Sequence, residues 1–508
     1  MRALAAAAGI VCVCLLAVVV ARAYRGIARF QSEEPVVSKA TTEVPAAPKP
    51  RPVPKAVPRP PKPPEPPPAK DEHPVLASWH KARAIRLELP AERRPLPEPL
   101  AQGRTEPGFK LRGIKGCAWT PEQYLAEIPV LAQYKMNFLM NCYLSLFEGR
   151  LNQWWLPLSA PKREGLERVV RACQQHGITF CFAMHPAFKS ARPLRYGDPK
   201  DTEALWQHYA WMQGLGVQWF SVCFDDVPQE TEAKGQAALV GELLGRLRAN
   251  DPAAQMIVCP TVYAGSGGDR SDYLRTLGEE LPQDAFVFWT GDGVFAPWVT
   301  RACAEKYRAL VRRRLILWDN WCDEWTIISL APLFGRGPEL CEAVDGYMLN
   351  PHVVHNELNR VPLLTCADYA WNPWAYDPVR SLGQAVLHLG DTPEQRALLK
   401  DLVETYPGRF LLGDAGPSKH LLWGRDVPYH SPVIKRFYDT LAGEGPLTPA
   451  AEALWHVRGL ADRLDAHFPG RFEPTRKVLR QQLEVMQAAY DERCGCWPEG
   501  KPVPLPDK

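Results

Sequence analysis

Between residues 108 and 352 the chain alternates two patterns. Short apolar runs rich in Val, Ile, Phe and Trp are followed by longer amphipathic stretches. Eight runs stand out: LRGIKG (111–116), MNFLMNCYL (136–144), ITFCFAMHP (178–186), VQWFSVCFDD (217–226), QMIVCPTVY (255–263), AFVFWTG (285–291), RLILWDN (314–320) and GYMLNPH (346–352). Several are apolar throughout rather than alternating, as expected of strands buried on both faces of a parallel sheet. Between them, PEQYLAEIPVLAQY, KREGLERVVRACQQHG and TEALWQHYAWMQGLG carry apolar residues at helical spacing. Eight strand–helix repeats over about 245 residues predict an α/β protein built as a (β/α)8 TIM barrel, a fold of roughly 250 residues.

The polar residues of these runs gather at their C-terminal ends: Asp225 and Asp226, Tyr263, Thr290, Asn320 and Asn350. In a barrel this is the catalytic face. Adjacent aspartates on a strand end point in different directions. They therefore do not form the opposed carboxylate pair of most glycosidases, whose groups flank the scissile bond about 5–9 Å apart. They suit a division of labour instead. One protonates a leaving oxygen and the other holds a neighbouring group of the substrate, which then acts as nucleophile. Like charges this close also push one carboxyl towards its protonated form. A helix cap or a Mg2+ site are the plainer uses of such a pair.

Beyond residue 380 the pattern becomes helical. PEQRALLKDLVETY, SPVIKRFYDTLAG, PAAEALWHVRGLADRLDAHF and PTRKVLRQQLEVMQAAYDER predict a C-terminal helical bundle over residues 381–508, a candidate homodimer surface. At the other end, residues 3–21 form a 19-residue uncharged stretch after Arg2, long enough to cross a bilayer. Ala21-Arg22-Ala23 has the form of a signal-peptidase site. Arg22, Arg25 and Arg29 follow it, which by the positive-inside rule favours a cytoplasmic C-terminal side. The segment 1–23 is read as a signal peptide or membrane anchor, and the protein as exported to the cell envelope, periplasm or exterior. Residues 35–68 contain 14 prolines, six Lys or Arg, two Glu and no aromatic residue. Such a composition buries no core and acts as an extended spacer, so 24–107 is expected to be a Pro-rich disordered linker. The barrel is expected over 108–380.

Composition adds limits. A formal charge of +3 over 508 residues argues against binding that rests on a strongly basic surface, so nucleic acid is not expected as a partner. The 17 tryptophans suit core packing and also stacking on sugar rings. The 14 cysteines show no CxxC spacing. Cys181, Cys223 and Cys259 lie in apolar runs and read as small buried hydrophobes.

The strand ends CFDDVP, VCPTVYAG, FWTGDGV, LWDNW and LNPH, in this order, together with WNPWAYDP (371–378), resemble glycoside hydrolase family 84, the O-GlcNAcase and bacterial β-N-acetylglucosaminidase group. The resemblance covers about residues 108–380. It implies retaining hydrolysis of terminal β-linked N-acetylglucosamine, with the substrate's 2-acetamido group as nucleophile and no metal or organic cofactor. The implied partner is a GlcNAc-containing glycan or glycoprotein. By the same resemblance Asp225 orients the acetamido group and Asp226 is general acid and then base. Tyr263 bonds the acetamido oxygen or the intermediate. Thr290 and Val294 line the acetamido pocket under Trp289, Asn320 sits beside the acetamido group and Asn350 holds sugar hydroxyls. Gly116 lets the first strand approach the sugar. Tyr263 and Trp289 also read as core aromatics, and Thr290, Asn320 and Asn350 as turn residues.

Three positions depart from the family. Lys115 stands where the family has Glu. Leu144 stands where it has a lysine that reaches a sugar hydroxyl. The segment after Asn320, WCDEW, is one residue shorter, leaving Asp323 or Glu324 for the O4 and O6 hydroxyls. Lys115 is expected to replace part of the lost lysine. These departures also keep open a sugar-binding pseudoenzyme, or a hydrolase of a different 2-acetamido glycan.

Overall fold

The structure is a computed structural model. It describes residues 86–494, apart from 101, 148–151, 191, 228–231, 266–267, 322–327, 352–354, 409–416, 420–425 and 429–430. The expected leader and the Pro-rich stretch before residue 86 lie outside the described residues.

Eight parallel strands close into a barrel in sequence order. They are β1 (Leu111–Gly116), β2 (Phe138–Asn141), β3 (Thr179–Met184), β4 (Trp219–Cys223), β5 (Gln255–Cys259), β6 (Phe286–Trp289), β7 (Arg314–Asp319) and β8 (Gly346–Leu349). Closure comes from β1 against β8, with Leu111 opposite Gly346 and Ile114 opposite Leu349. The outer helices are α1 (Pro121–Gln133), α2 (Ala160–Gln175), α3 (Pro199–Gly214), α4 (Ala233–Asn250), α5 (Ser271–Glu280), α6 (Arg301–Val311) and the single turn α7 (Leu340–Ala343). The sequence punctuates these helices well. Thr120 and Gln123 form a reciprocal capping box before Pro121, satisfying two N–H groups that the first turn leaves unpaired. Asp198 caps α3 in the same sense, ahead of Pro199.

Apart from β1, the strands are shorter than the apolar runs that contain them. These runs carry on past the last ladder residue into the loop above, so the surplus apolar and polar residues build the upper rim. The opposite end is plugged. Phe138 of β2 and Trp219 of β4 have ring centroids 5.6 Å apart, and Trp219 and Phe286 of β6 are 5.2 Å apart. These contacts skip β3 and β5, so the three rings meet inside the lumen, a layer supplied by alternate strands. These rings fill the lumen at its N-terminal end, leaving the C-terminal strand ends as the rim.

After β8 come α8 (Arg360–Trp371), α9 (Pro378–Leu389), α10 (Pro393–Thr405), a short hairpin of β9 (Pro417–Lys419) and β10 (Asp426–Pro428), then α11 (Pro432–Ala442), α12 (Thr448–His467) and α13 (Glu473–Cys494). The helical C-terminal region expected from periodicity is thus present. The expected linker ends sooner than residue 107. From residue 86 the chain is strapped across α8–α10, with Leu87 and Leu96 buried. Its backbone N–H groups bond to side chains beneath: Leu87 to Glu404 Oε1 at 2.7 Å, Arg94 to Gln384 Oε1 and Glu98 to Asp368 Oδ1, both at 2.8 Å. Two apolar anchors and these bonds order a stretch whose local composition, with five prolines in 90–107, reads as linker.

Candidate active site

Parallel strands place all eight C-terminal ends on one rim, and the aspartate pair follows β4 there. Asp225 is buried, at 7% exposure, whereas Asp226 opens to the mouth. Asp226 has φ +56°, in the left-handed region that Asp tolerates better than most side chains. This backbone turn sends the two carboxylates to different partners. Asp225 Oδ2 accepts a 2.5 Å hydrogen bond from the Tyr143 hydroxyl. Asp225 Oδ1 is buried and accepts no hydrogen bond among the described residues. Asp226 Oδ1 accepts a 2.7 Å bond from Tyr263. Desolvation by the surrounding wall and the neighbouring Asp225 charge raise the Asp226 carboxyl above the usual range, outweighing the Tyr263 bond, His185 and Lys115, which pull it down.

His185, just past β3, belongs to the same cluster. Its Nδ1 accepts from the Phe188 N–H at 2.9 Å, which fixes the proton on Nε2. Nε2–H then donates to the Asp225 backbone carbonyl at 2.7 Å. Burial holds this imidazole below its ordinary pKa despite the Asp225 charge. It is a neutral strut that sets the Asp225 backbone.

The facing wall is a set of linked loops. The Thr290 N–H bonds the Tyr263 carbonyl at 2.9 Å and its hydroxyl bonds the Gly293 carbonyl at 3.0 Å. Asn320 Nδ2 donates to the Val294 carbonyl at 2.7 Å, and Asn350 Nδ2 donates to Asn320 Oδ1 at 3.0 Å. Asn320 follows β7, whose last residue, Asp319, is locked by buried Arg336 through bonds of 2.7 and 3.0 Å. The structure thus joins Tyr263, Thr290, Val294, Asn320 and Asn350 in one wall. Val294 exposes 38% of its surface at the mouth. Trp289 is fully buried behind this wall, its indole N–H bonded to the Gly265 carbonyl at 3.0 Å.

Two residues on β1 have roles set by packing. A Cβ on Gly116 would lie 2.4 Å from the Trp119 ring and 2.6 Å from the Tyr124 ring. The glycine is therefore required by protein on its own side of the strand, where the sequence reading had expected a sugar. Lys115 is 3% exposed, with Nζ 3.8 Å from the Trp318 ring centroid and 4.9 Å from that of Tyr143. Trp318 lies on β7, two strands away, so both side chains reach into the lumen. Burial alone would lower the Lys115 ammonium, but Cys142, Cys117 and Asp225 hold it above its usual range. In turn, burial pushes the Cys142 thiol up, while Cys117, Lys115 and two backbone N–H groups outweigh it and bring it to about 6. Leu144, at 40% exposure, stands on the turn after β2. Asp323 and Glu324 lie outside the described residues. Among the described residues no three His, Cys, Asp or Glu are grouped to hold a metal ion.

Residues 112–404 match the family model for beta-N-acetylglucosaminidase, NAGidase. The chain belongs to this family. Within the NAGidase family, the curated Protein O-GlcNAcase of Rattus norvegicus and that of Mus musculus are similar to it. Each is 24% identical over 276 residues, 51% of this chain. The match spans 29% of the length of these relatives. Among solved structures, a mutant of the Thermobaculum terrenum O-GlcNAc hydrolase aligns with TM-score 0.57 and 21% identity, over 76% of this chain and 83% of that one. The structure titled CpGH84B aligns with TM-score 0.56 and 20% identity, over 76% and 69%. At this identity the structural likeness concerns the barrel fold. The family match places the chain among glycoside hydrolases.

Proposed function

We propose that this NAGidase-family protein is a retaining β-N-acetylglucosaminidase that removes terminal β-linked GlcNAc with the substrate's own acetamido group as nucleophile. The observation that carries the reading is the divided aspartate pair: a buried carboxylate held by Tyr143, beside an exposed carboxyl raised towards its protonated form. Asp225 accepts the acetamido N–H and turns the carbonyl oxygen onto the anomeric carbon. Asp226 gives its proton to the glycosidic oxygen as the C1–O bond breaks and a cyclic oxazoline forms. The Asp226 carboxylate then takes a proton from water, whose oxygen attacks C1 and reopens the ring. Two inversions leave the β configuration unchanged. The wall of Tyr263, Thr290, Val294, Asn320 and Asn350 encloses the acetamido side.

The first test is hydrolysis of an aryl β-N-acetylglucosaminide by the full-length protein beside Asp226→Asn. General acid–base catalysis contributes about 10²–10⁴-fold, so the variant should lose at least that much. Successive fluorination of the N-acyl group should then slow the wild type progressively, because it weakens the attacking oxygen. Turnover indifferent to fluorination would refute acetamido participation. The exposed Leu144 supports a second reading, a sugar-binding protein without turnover. It predicts tight binding of a thiazoline mimic of the intermediate and no hydrolysis by either protein.

A further inference from the structure

The Tyr143 ring is held on several sides. It meets the His185 ring edge-on at 4.7 Å and the Phe188 ring at 6.0 Å, and the Lys115 ammonium lies 4.9 Å from its centroid. Only 9% of the residue is exposed. A ring clamped in this way has one place for its hydroxyl, and that place is Asp225 Oδ2, at 2.5 Å. Burial, and then the Asp225 charge, keep the phenol well above its ordinary pKa, so it stays protonated and donates. Asp225 is thereby fixed at two points: its backbone carbonyl by His185 and one carboxylate oxygen by Tyr143. The carboxylate cannot rotate without breaking the Tyr143 bond. Its other oxygen, Oδ1, is shielded from solvent with His185 Nε2 3.5 Å away, so the whole carboxylate is held in one orientation.

We propose that Tyr143 is a positioning residue of this reaction, which holds the Asp225 carboxylate in the orientation that receives the acetamido N–H. The proposal rests on the acetamido-assisted reading above. It has a chemical consequence. As the oxazoline ring closes, the acetamido nitrogen gains positive charge and its proton becomes acidic. The Tyr143 bond keeps the carboxylate from turning away, so the N–H stays paired with it while C1–O cleavage proceeds at Asp226.

Tyr143→Phe keeps the ring in its clamp and removes the donor. In the full-length protein, with an aryl β-N-acetylglucosaminide, kcat should fall about 10- to 100-fold, the loss expected for one bond to a charged group, with KM moving less than about threefold. In an Asp225→Asn background the same change should cost little more, because the two residues act as one unit. A drop in thermal stability with an unchanged kcat per active site would make Tyr143 structural only and overturn the proposal. If the wild type is inactive, calorimetry with the thiazoline mimic decides. Weaker binding by Tyr143→Phe of about 10-fold upholds the role, and equal binding overturns it. A wild type that neither hydrolyses nor binds the mimic overturns the glycosidase reading itself.

Discussion

Tyr263 has one hydroxyl proton and two claimants for it. In the ligand-free site it donates to Asp226 Oδ1 at 2.7 Å. In the proposed reaction it is needed by the acetamido oxygen. Substrate binding then takes the donor away from Asp226. A hydrogen bond to a carboxylate favours the ionised form, so losing it raises the Asp226 pKa further, when the reaction needs that proton in place. A bond to a charged group contributes about 1.5–3 kcal/mol when buried. At the mouth of the site water screens it, and about 0.5–1.5 kcal/mol is a reasonable share. At 1.36 kcal/mol per pH unit that is roughly half to one unit. The profile of kcat/KM reports the free enzyme and that of kcat reports the complex. Asp226 must be protonated for the first step, so it sets the alkaline limb of both. In the wild type the alkaline limb of kcat should lie above that of kcat/KM. In Tyr263→Phe the donor is absent throughout, so the kcat/KM limb should rise and the gap should shrink by about half to one unit. The assay is a full pH series on an aryl β-N-acetylglucosaminide, with Asp226→Asn as the control that abolishes the limb. A gap of equal size in wild type and Tyr263→Phe would refute the reasoning.

Two further outcomes separate packing from function on β1. Gly116→Ala forces a Cβ to within 2.4 Å of Trp119 and 2.6 Å of Tyr124, so it should destabilise the fold by about 1–3 kcal/mol in a denaturant titration, and KM for the part that remains folded should hold. Lys115→Met fills the volume but leaves buried Asp225 without its neighbouring cation, the costly half of breaking a buried pair, so the melting temperature should fall. Its charge lowers the Asp226 carboxyl, so the alkaline limb should move to higher pH in the variant; a limb that stays put would exclude electrostatic contact with the pair.

The barrel was legible because parallel strands and their helices leave long, regular apolar signatures, and β1 matches its predicted run at both ends, Leu111 to Gly116. The rim was partly legible, since a polar residue at a strand end is visible in one dimension. What it bonds to is not. Tyr143 read as one more apolar residue of an apolar run, and its hydroxyl gains meaning only when β2 and β4 are brought across β3. Gly116 shows the converse: the need for glycine was visible, but the rings that enforce it come from a loop and helix downstream. The strap from residue 86 was hidden for a similar reason, because its order comes from Asp368, Gln384 and Glu404, more than 250 residues away.

Leu144 and Lys115 set what kind of enzyme this arrangement can be. Leu144 carries no donor and stands exposed on the turn after β2, while Lys115 lies buried against Trp318 and Tyr143. A cation moved from the rim to the lumen no longer offers itself to a hydroxyl of the bound sugar. It acts instead on the carboxylates, through Asp225 and Asp226. Ground-state binding is weakened by such an exchange, but the groups that act in the transition state are untouched. Catalysis depends on that difference, because interactions made equally in ground and transition states change KM and leave kcat alone. An intact enzyme of this design therefore shows a high KM beside an ordinary kcat. A sugar-binding protein shows the reverse, tight binding with no turnover. The two are separated by the ratio of the constants rather than by activity at a single low substrate concentration, where a high-KM enzyme looks inactive.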